Sequence, residues 1–163
     1  MALNLNARLD EQVYSVQAAC CAALTTTVGD CVYVSMKNYR RLRVTIDVLN
    51  ATTVTGGTVT LKQATAVAGT SEKALAFTRM LANIDVGASQ VMVETAVSNN
   101  TFVTDTTNSK RLRYVIDVDA DDLDSANSFD CFRVDVTGMA NAVGNVVYDL
   151  YGARYLTSSP MTD

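Results

Sequence analysis

Asp117, Asp119 and Asp121 stand at alternate positions, the spacing of the first three carboxylates in a calcium-binding loop. Such a loop needs glycine at its sixth position and glutamate at its twelfth; here those positions hold Asp122 and Ser128. A solvated acidic turn over 119–128 is the expected form, with no metal assigned. The chain has no histidine, so neither a Ser-His-Asp triad nor a Cys-His pair can be assembled. Cys20, Cys21, Cys31 and Cys131 lack the Cys-x-x-Cys spacing of a zinc site and are too few for a disulfide scaffold. They read as buried thiols. A glycosidase needs two carboxyls facing across a cleft, whereas these acids gather in one loop or at strand ends, without a tryptophan for a sugar to stack on. The 8 glycines are scattered among turns and form no phosphate-cradling motif. The residue types therefore predict no catalysis and no cofactor.

The other suggestive set is basic. Tyr39-Arg-Arg-Leu-Arg-Val-Thr-Ile-Asp-Val48 recurs 70 residues later as Ser109-Lys-Arg-Leu-Arg-Tyr-Val-Ile-Asp-Val118, and Phe132-Arg-Val-Asp-Val136 repeats the ending. Apolar and polar residues alternate in each copy, which places Leu42, Val44, Ile46 and Val48 on one face of a β-strand and Arg41, Arg43, Thr45 and Asp47 on the other. Two readings follow for Arg41, Arg43, Arg111 and Arg113: a basic patch for a partner, or cross-strand pairs with the aspartates that end each copy. A net charge of −4 speaks against a general nucleic-acid binder, which needs a basic surface. The one aromatic in these strands, Tyr114, falls on the core side rather than where a base could stack.

The elements that position these residues are short and evenly spaced. Strands are expected at 31–36, 39–49, 58–65, 90–97, 102–103, 110–118, 129–136 and 145–156, with Gly, Asn, Thr and Asp in the turns. Residues 13–24 begin with strand alternation and continue into an alanine-rich run that also suits a helical turn. Residues 25–30 read as a turn. Residues 73–82 fit both a 3.6-residue period and a returning strand, and the strand is favoured because a short turn separates them from 58–65. At 163 residues this predicts one all-β domain over 13–156, a two-sheet, jelly-roll-like sandwich, with an N-terminal arm over 1–12 and a short C-terminal tail over 157–163. No apolar run reaches the length of a membrane helix. The start has neither a basic n-region nor a continuous apolar stretch, so synthesis and folding in a cytoplasm are expected.

Two stretches carry a more specific signal. Gly29-Asp-Cys-Val-Tyr-Val-Ser-Met-Lys-Asn-Tyr39 and Val59-Thr-Leu-Lys-Gln-Ala-Thr-Ala-Val-Ala-Gly-Thr-Ser-Glu-Lys-Ala-Leu-Ala-Phe77 resemble small head-associated proteins of tailed bacteriophages, in which a strand of the first kind precedes a hairpin of the second. The resemblance covers the first half of the chain. It implies a virion component assembled in a bacterial cytoplasm: a decoration or cement protein on the capsid exterior, bound to the major capsid protein lattice as a homo-oligomer, often a trimer. Leu3, Leu5, Arg8 and Leu9 of the arm, with Arg41, Arg43, Arg111 and Arg113, are the interface candidates; neither a membrane nor a nucleic acid is an expected partner. Two alternatives stay open: a head–tail connector, tail or fibre-anchoring component, and a carbohydrate-binding sandwich using Tyr148, Tyr151 and Tyr155.

Overall fold

The computed structural model describes residues 12–23 and 31–154. Within them the chain forms eleven strands: β1 Val13–Ala23, β2 Val34–Ser35, β3 Arg41–Thr55, β4 Thr58–Ala64, β5 Lys73–Ala74, β6 Arg79–Asn83, β7 Val93–Ala96, β8 Thr101–Val103, β9 Arg111–Asp119, β10 Cys131–Thr137 and β11 Ala140–Tyr151. Two short 3-10 turns, Ala120–Asp122 and Ser125–Asn127, occupy the acidic segment. Six strands form one antiparallel sheet in the order β1-β11-β3-β9-β6-β7. The facing sheet runs β2-β10-β4-β5, with β8 also paired to β4. This is a two-sheet sandwich, as the even strand spacing predicts.

The period-two pattern decides which face meets the core. Leu42, Val44, Ile46 and Val48 of β3, Leu112, Tyr114, Ile116 and Val118 of β9, and Val146, Tyr148 and Leu150 of β11 are all buried. They pack against Val59 and Leu61 of β4 and Phe132, Val134 and Val136 of β10. Aromatic rings fill the widest gaps: Phe102 leans on Tyr114 with centroids 5.1 Å apart, and Phe132 meets Tyr148 edge-on at 5.6 Å. Each buried tyrosine hydroxyl needs a partner, and both accept a backbone N–H. Tyr114 takes that of Asp105 at 2.7 Å, and Tyr148 takes that of Val134 at 2.9 Å. The second bond ties the two sheets together through the core.

Several boundaries depart from the sequence expectations. The strand expected over 31–36 pairs only at Val34 and Ser35. The strand expected over 39–49 continues to Thr55, because β11 extends beside it as far as the Ala140–Thr55 pair. Residues 137–144, expected as a turn, are mostly the start of β11; the turn itself is Gly138 with Met139. The return over 73–82 is not one strand. It pairs with β4 through Lys73 and Ala74, with the Leu75 N–H still on the Leu61 carbonyl at 2.9 Å, leaves that sheet over 76–78, and enters the opposite sheet as β6. Leu75 is buried where the chain crosses, and Phe77 packs against the core there. The ambiguous segment 13–23 is a strand. The arm, the turn over 25–30, Leu156 and the tail lie outside the described residues.

Candidate functional site

The repeated motif takes its meaning from the β3–β9 pairing. Arg43 and Asp47 are four residues apart, as are Arg113 and Asp117. The antiparallel register sets Arg43 opposite Asp117 and Asp47 opposite Arg113, with Thr45 opposite Val115 between them. Each arginine therefore meets the other copy's aspartate. Arg43 grips Asp117 through Nε at 2.7 Å and a terminal guanidinium nitrogen at 3.0 Å; Arg113 grips Asp47 at 2.6 and 3.0 Å. These are two-point contacts, the strongest geometry available to arginine. Arg41 continues the row on Asp119 at 2.7 Å. At the other end the symmetry fails. Leu49 stands opposite Arg111, which has no ion pair among the described residues.

Of the four strand arginines considered for an interface, Arg41, Arg43 and Arg113 are thus held by aspartates on their own sheet. All lie on the solvent face of β3 and β9, as alternation predicts. At the paired end, Arg40, Arg41, Arg43 and Arg154 face Asp117 and Asp119 around a broad open concavity of about 1230 Å³. It mixes both signs of charge and is open to solvent. Leu3, Leu5, Arg8 and Leu9 lie outside the described residues.

The acidic segment does not converge on an ion. Asp117 and Asp119 are committed to arginines, while Asp122 turns back to accept the Asp119 N–H at 2.9 Å. Among the described residues no three His, Cys, Asp or Glu side chains come together as a metal site. The tyrosines proposed for a sugar platform do not share a surface either. Tyr148 is fully buried, Tyr151 is partly exposed on the outer sheet face, and Tyr155 lies outside the described residues. Cys31 and Cys131 are buried; the side chains of Cys20 and Cys21 lie outside the described residues.

A second charged cluster escaped sequence analysis. On the outer face of β4 and β10, Lys62 reaches Asp135 and Glu72, each at 2.6 Å. Arg133 meets Asp135 at 2.7 Å and Glu72 at 2.9 Å, and its guanidinium lies 4.7 Å from the centre of the Tyr33 ring. The Tyr33 hydroxyl donates to Glu72 at 2.6 Å. Asp135 keeps only 5% of its side-chain surface exposed. Hydrogen bonds from Lys62 and then Tyr33 hold the Glu72 carboxyl below its ordinary pKa. Lys62 is raised: burial works against its charge, but the hydrogen bonds to Asp135 and Glu72 outweigh it. Tyr33 is raised, first by burial and then by its bond to Glu72. Gly69 completes the junction. Its φ of +78° suits glycine, and a Cβ there would lie 3.0 Å from the Tyr33 ring. Its members lie in the stretches 29–39 and 59–77 and in the Arg-Val-Asp fragment at 133–135, and no local pattern joins the three.

No family model and no curated protein matches this chain. Among solved structures, the crystal structure of SPBc2 prophage-derived protein YomS is similar at a TM-score of 0.44 and 12% identity, over 86% of this chain and 93% of that one.

Proposed function

We propose that this chain is a non-enzymatic structural protein of a tailed-phage virion, one that decorates the capsid exterior and braces it by bridging major capsid protein subunits. The observation that carries the reading is how the charged side chains are used. Arginines 41, 43, 113 and 133 are bound to carboxylates on strands of their own sheet, which stiffens both outer faces. A general acid or base needs the opposite arrangement, a group kept available near a substrate. The two stretches that resemble phage head proteins also turn out to be the halves of one junction: Tyr33 comes from the first, and Lys62, Gly69 and Glu72 from the second.

In this reading the sandwich is a rigid block placed over junctions between capsid subunits. Many modest contacts, each of order 1,000 Å², gain strength by repetition across the lattice. A homo-oligomer about a symmetry axis, a trimer by preference, multiplies those contacts again. The added contacts oppose the outward pressure of packaged DNA. Purified protein added to undecorated capsids is expected to bind in hundreds of copies per particle and to raise the capsid melting temperature. Binding to tails alone, or a stoichiometry of six or twelve, would assign the protein to a connector or tail instead.

A further inference from the structure

The β6–β7 edge of the six-stranded sheet carries an apolar strip that the opposite sheet does not cover. Ala82 and Met80 face the core and are paired with Val93 and Thr95 of β7, so those two point to the same side. Just past the paired residues, Ile84 follows β6 and Val91 precedes β7. Yet Val93 is 61% exposed, Val91 69% and Ile84 51%. Val93 thus points to the core side yet meets no partner sheet, and Ile84 and Val91 stand exposed beside it. The outer edge of β7 also has no strand beside it among the described residues, which leaves its alternate backbone groups free for one.

The occupant is written at the start of the chain. Leu3, Leu5, Ala7 and Leu9 alternate with Asn4, Asn6 and Arg8, a period of two over seven residues. The core side of β7 offers Val93 and Thr95, with Val91 two residues before, while Val97 already packs against the core. On its other side stands Glu94, more than half exposed and reached only at 3.5 Å by Arg79, a carboxylate open to a basic residue.

A chain cannot seat its own arm there. The arm joins the fold at Val13, on the opposite edge strand of the sheet. Leu9 to Val13 spans at most about 14 Å, whereas β1 and β7 are five interstrand spacings apart, about 24 Å across the sheet.

We infer that residues 3–9 of one copy add as a strand to the free edge of β7 in a second copy, covering Ile84, Val91 and Val93. This deepens the reading above by giving the arm its seat, and rests on that reading only for the arm's being a docking segment. Two purified proteins, Leu5→Cys and Val93→Cys, each with a different tag, are mixed and treated with a short bismaleimide. A covalent dimer bearing both tags, absent when either is mixed with the unsubstituted chain, is expected. Sedimentation velocity should show the full chain associating, while Val93→Asp or removal of residues 2–9 gives single chains that melt at the original temperature. A hetero-tagged dimer that never forms, or association that survives both changes, overturns the inference. If removing residues 2–9 abolishes capsid binding but the cross-link is absent, the arm docks on the capsid protein: this inference fails and the decoration reading stands. Cross-linking without any capsid binding gives the reverse.

Discussion

Replacing Asp135 by asparagine should cost far more stability than the same change at Asp117, although both aspartates bind an arginine at 2.7 Å. Asp135 is 5% exposed, and its partners Lys62 and Arg133 are 26% and 17% exposed. Asparagine keeps the shape but removes the charge, leaving two cations packed together with Glu72 as their remaining carboxylate. Breaking a buried ion pair from one side typically costs 3–5 kcal/mol. The cations here keep some access to water, so about 3 kcal/mol is expected. Asp117 and Arg43 are each nearly half exposed, where water and salt screen the pair and its loss costs under about 1 kcal/mol. Urea unfolding monitored by circular dichroism separates the two. With a slope of about 2 kcal/mol/M, the Asp135→Asn midpoint should fall by about 1.5 M and that of Asp117→Asn by less than about 0.5 M, at unchanged slope. Equal shifts for the two variants would refute the argument that burial, rather than pairing geometry, sets the worth of these contacts.

Two further outcomes follow from the same interactions. Glu72 is depressed below its ordinary pKa in the fold, so it binds fewer protons folded than unfolded; its contribution is complete above the ordinary carboxylate range and is lost as pH falls through the depressed value. Urea midpoints measured from pH 7 down to 3 should therefore drop less steeply in Glu72→Gln than in the unsubstituted chain. Tyr148→Phe removes the acceptor of the buried Val134 N–H and should cost about 1–2 kcal/mol. Hydrogen exchange at the Val134 amide should accelerate more than at its neighbours, and uniform acceleration would mean that the hydroxyl does not protect that amide specifically.

Strands whose apolar residues alternate cleanly were legible because a half-buried strand has a period that nothing else imitates. β3, β4 and β9 are the cases, and even the Arg–Asp pairing of β3 with β9 was foreshadowed by the shared four-residue spacing. What local pattern cannot encode is which sheet a segment joins. Residues 73–82 read as one returning strand because a short turn separates them from 58–65, yet the chain changes sheets in their midst, with Leu75, Phe77, Met80 and Ala82 all at the core. The Tyr33–Lys62–Glu72–Arg133–Asp135 cluster was hidden for a related reason: its members are spread over a hundred residues, and only the sheet order brings them together. The strand expected to end at residue 49 runs on through its threonines and alanine to Thr55, since β11 supplies the pairing.

The β1–β11 pairing has a temporal consequence. Val13, among the first residues of the domain to leave a ribosome, pairs with Tyr151, among the last. β11 also lies between β1 and β3, so until it emerges the opening strand has no neighbour and the long third strand has one open flank. A nascent chain of this protein must wait, with its largest sheet divided, until β11 has been made. A frameshift or early stop before β11 would then leave no smaller working version, only an unclosed sheet prone to sticking to its siblings.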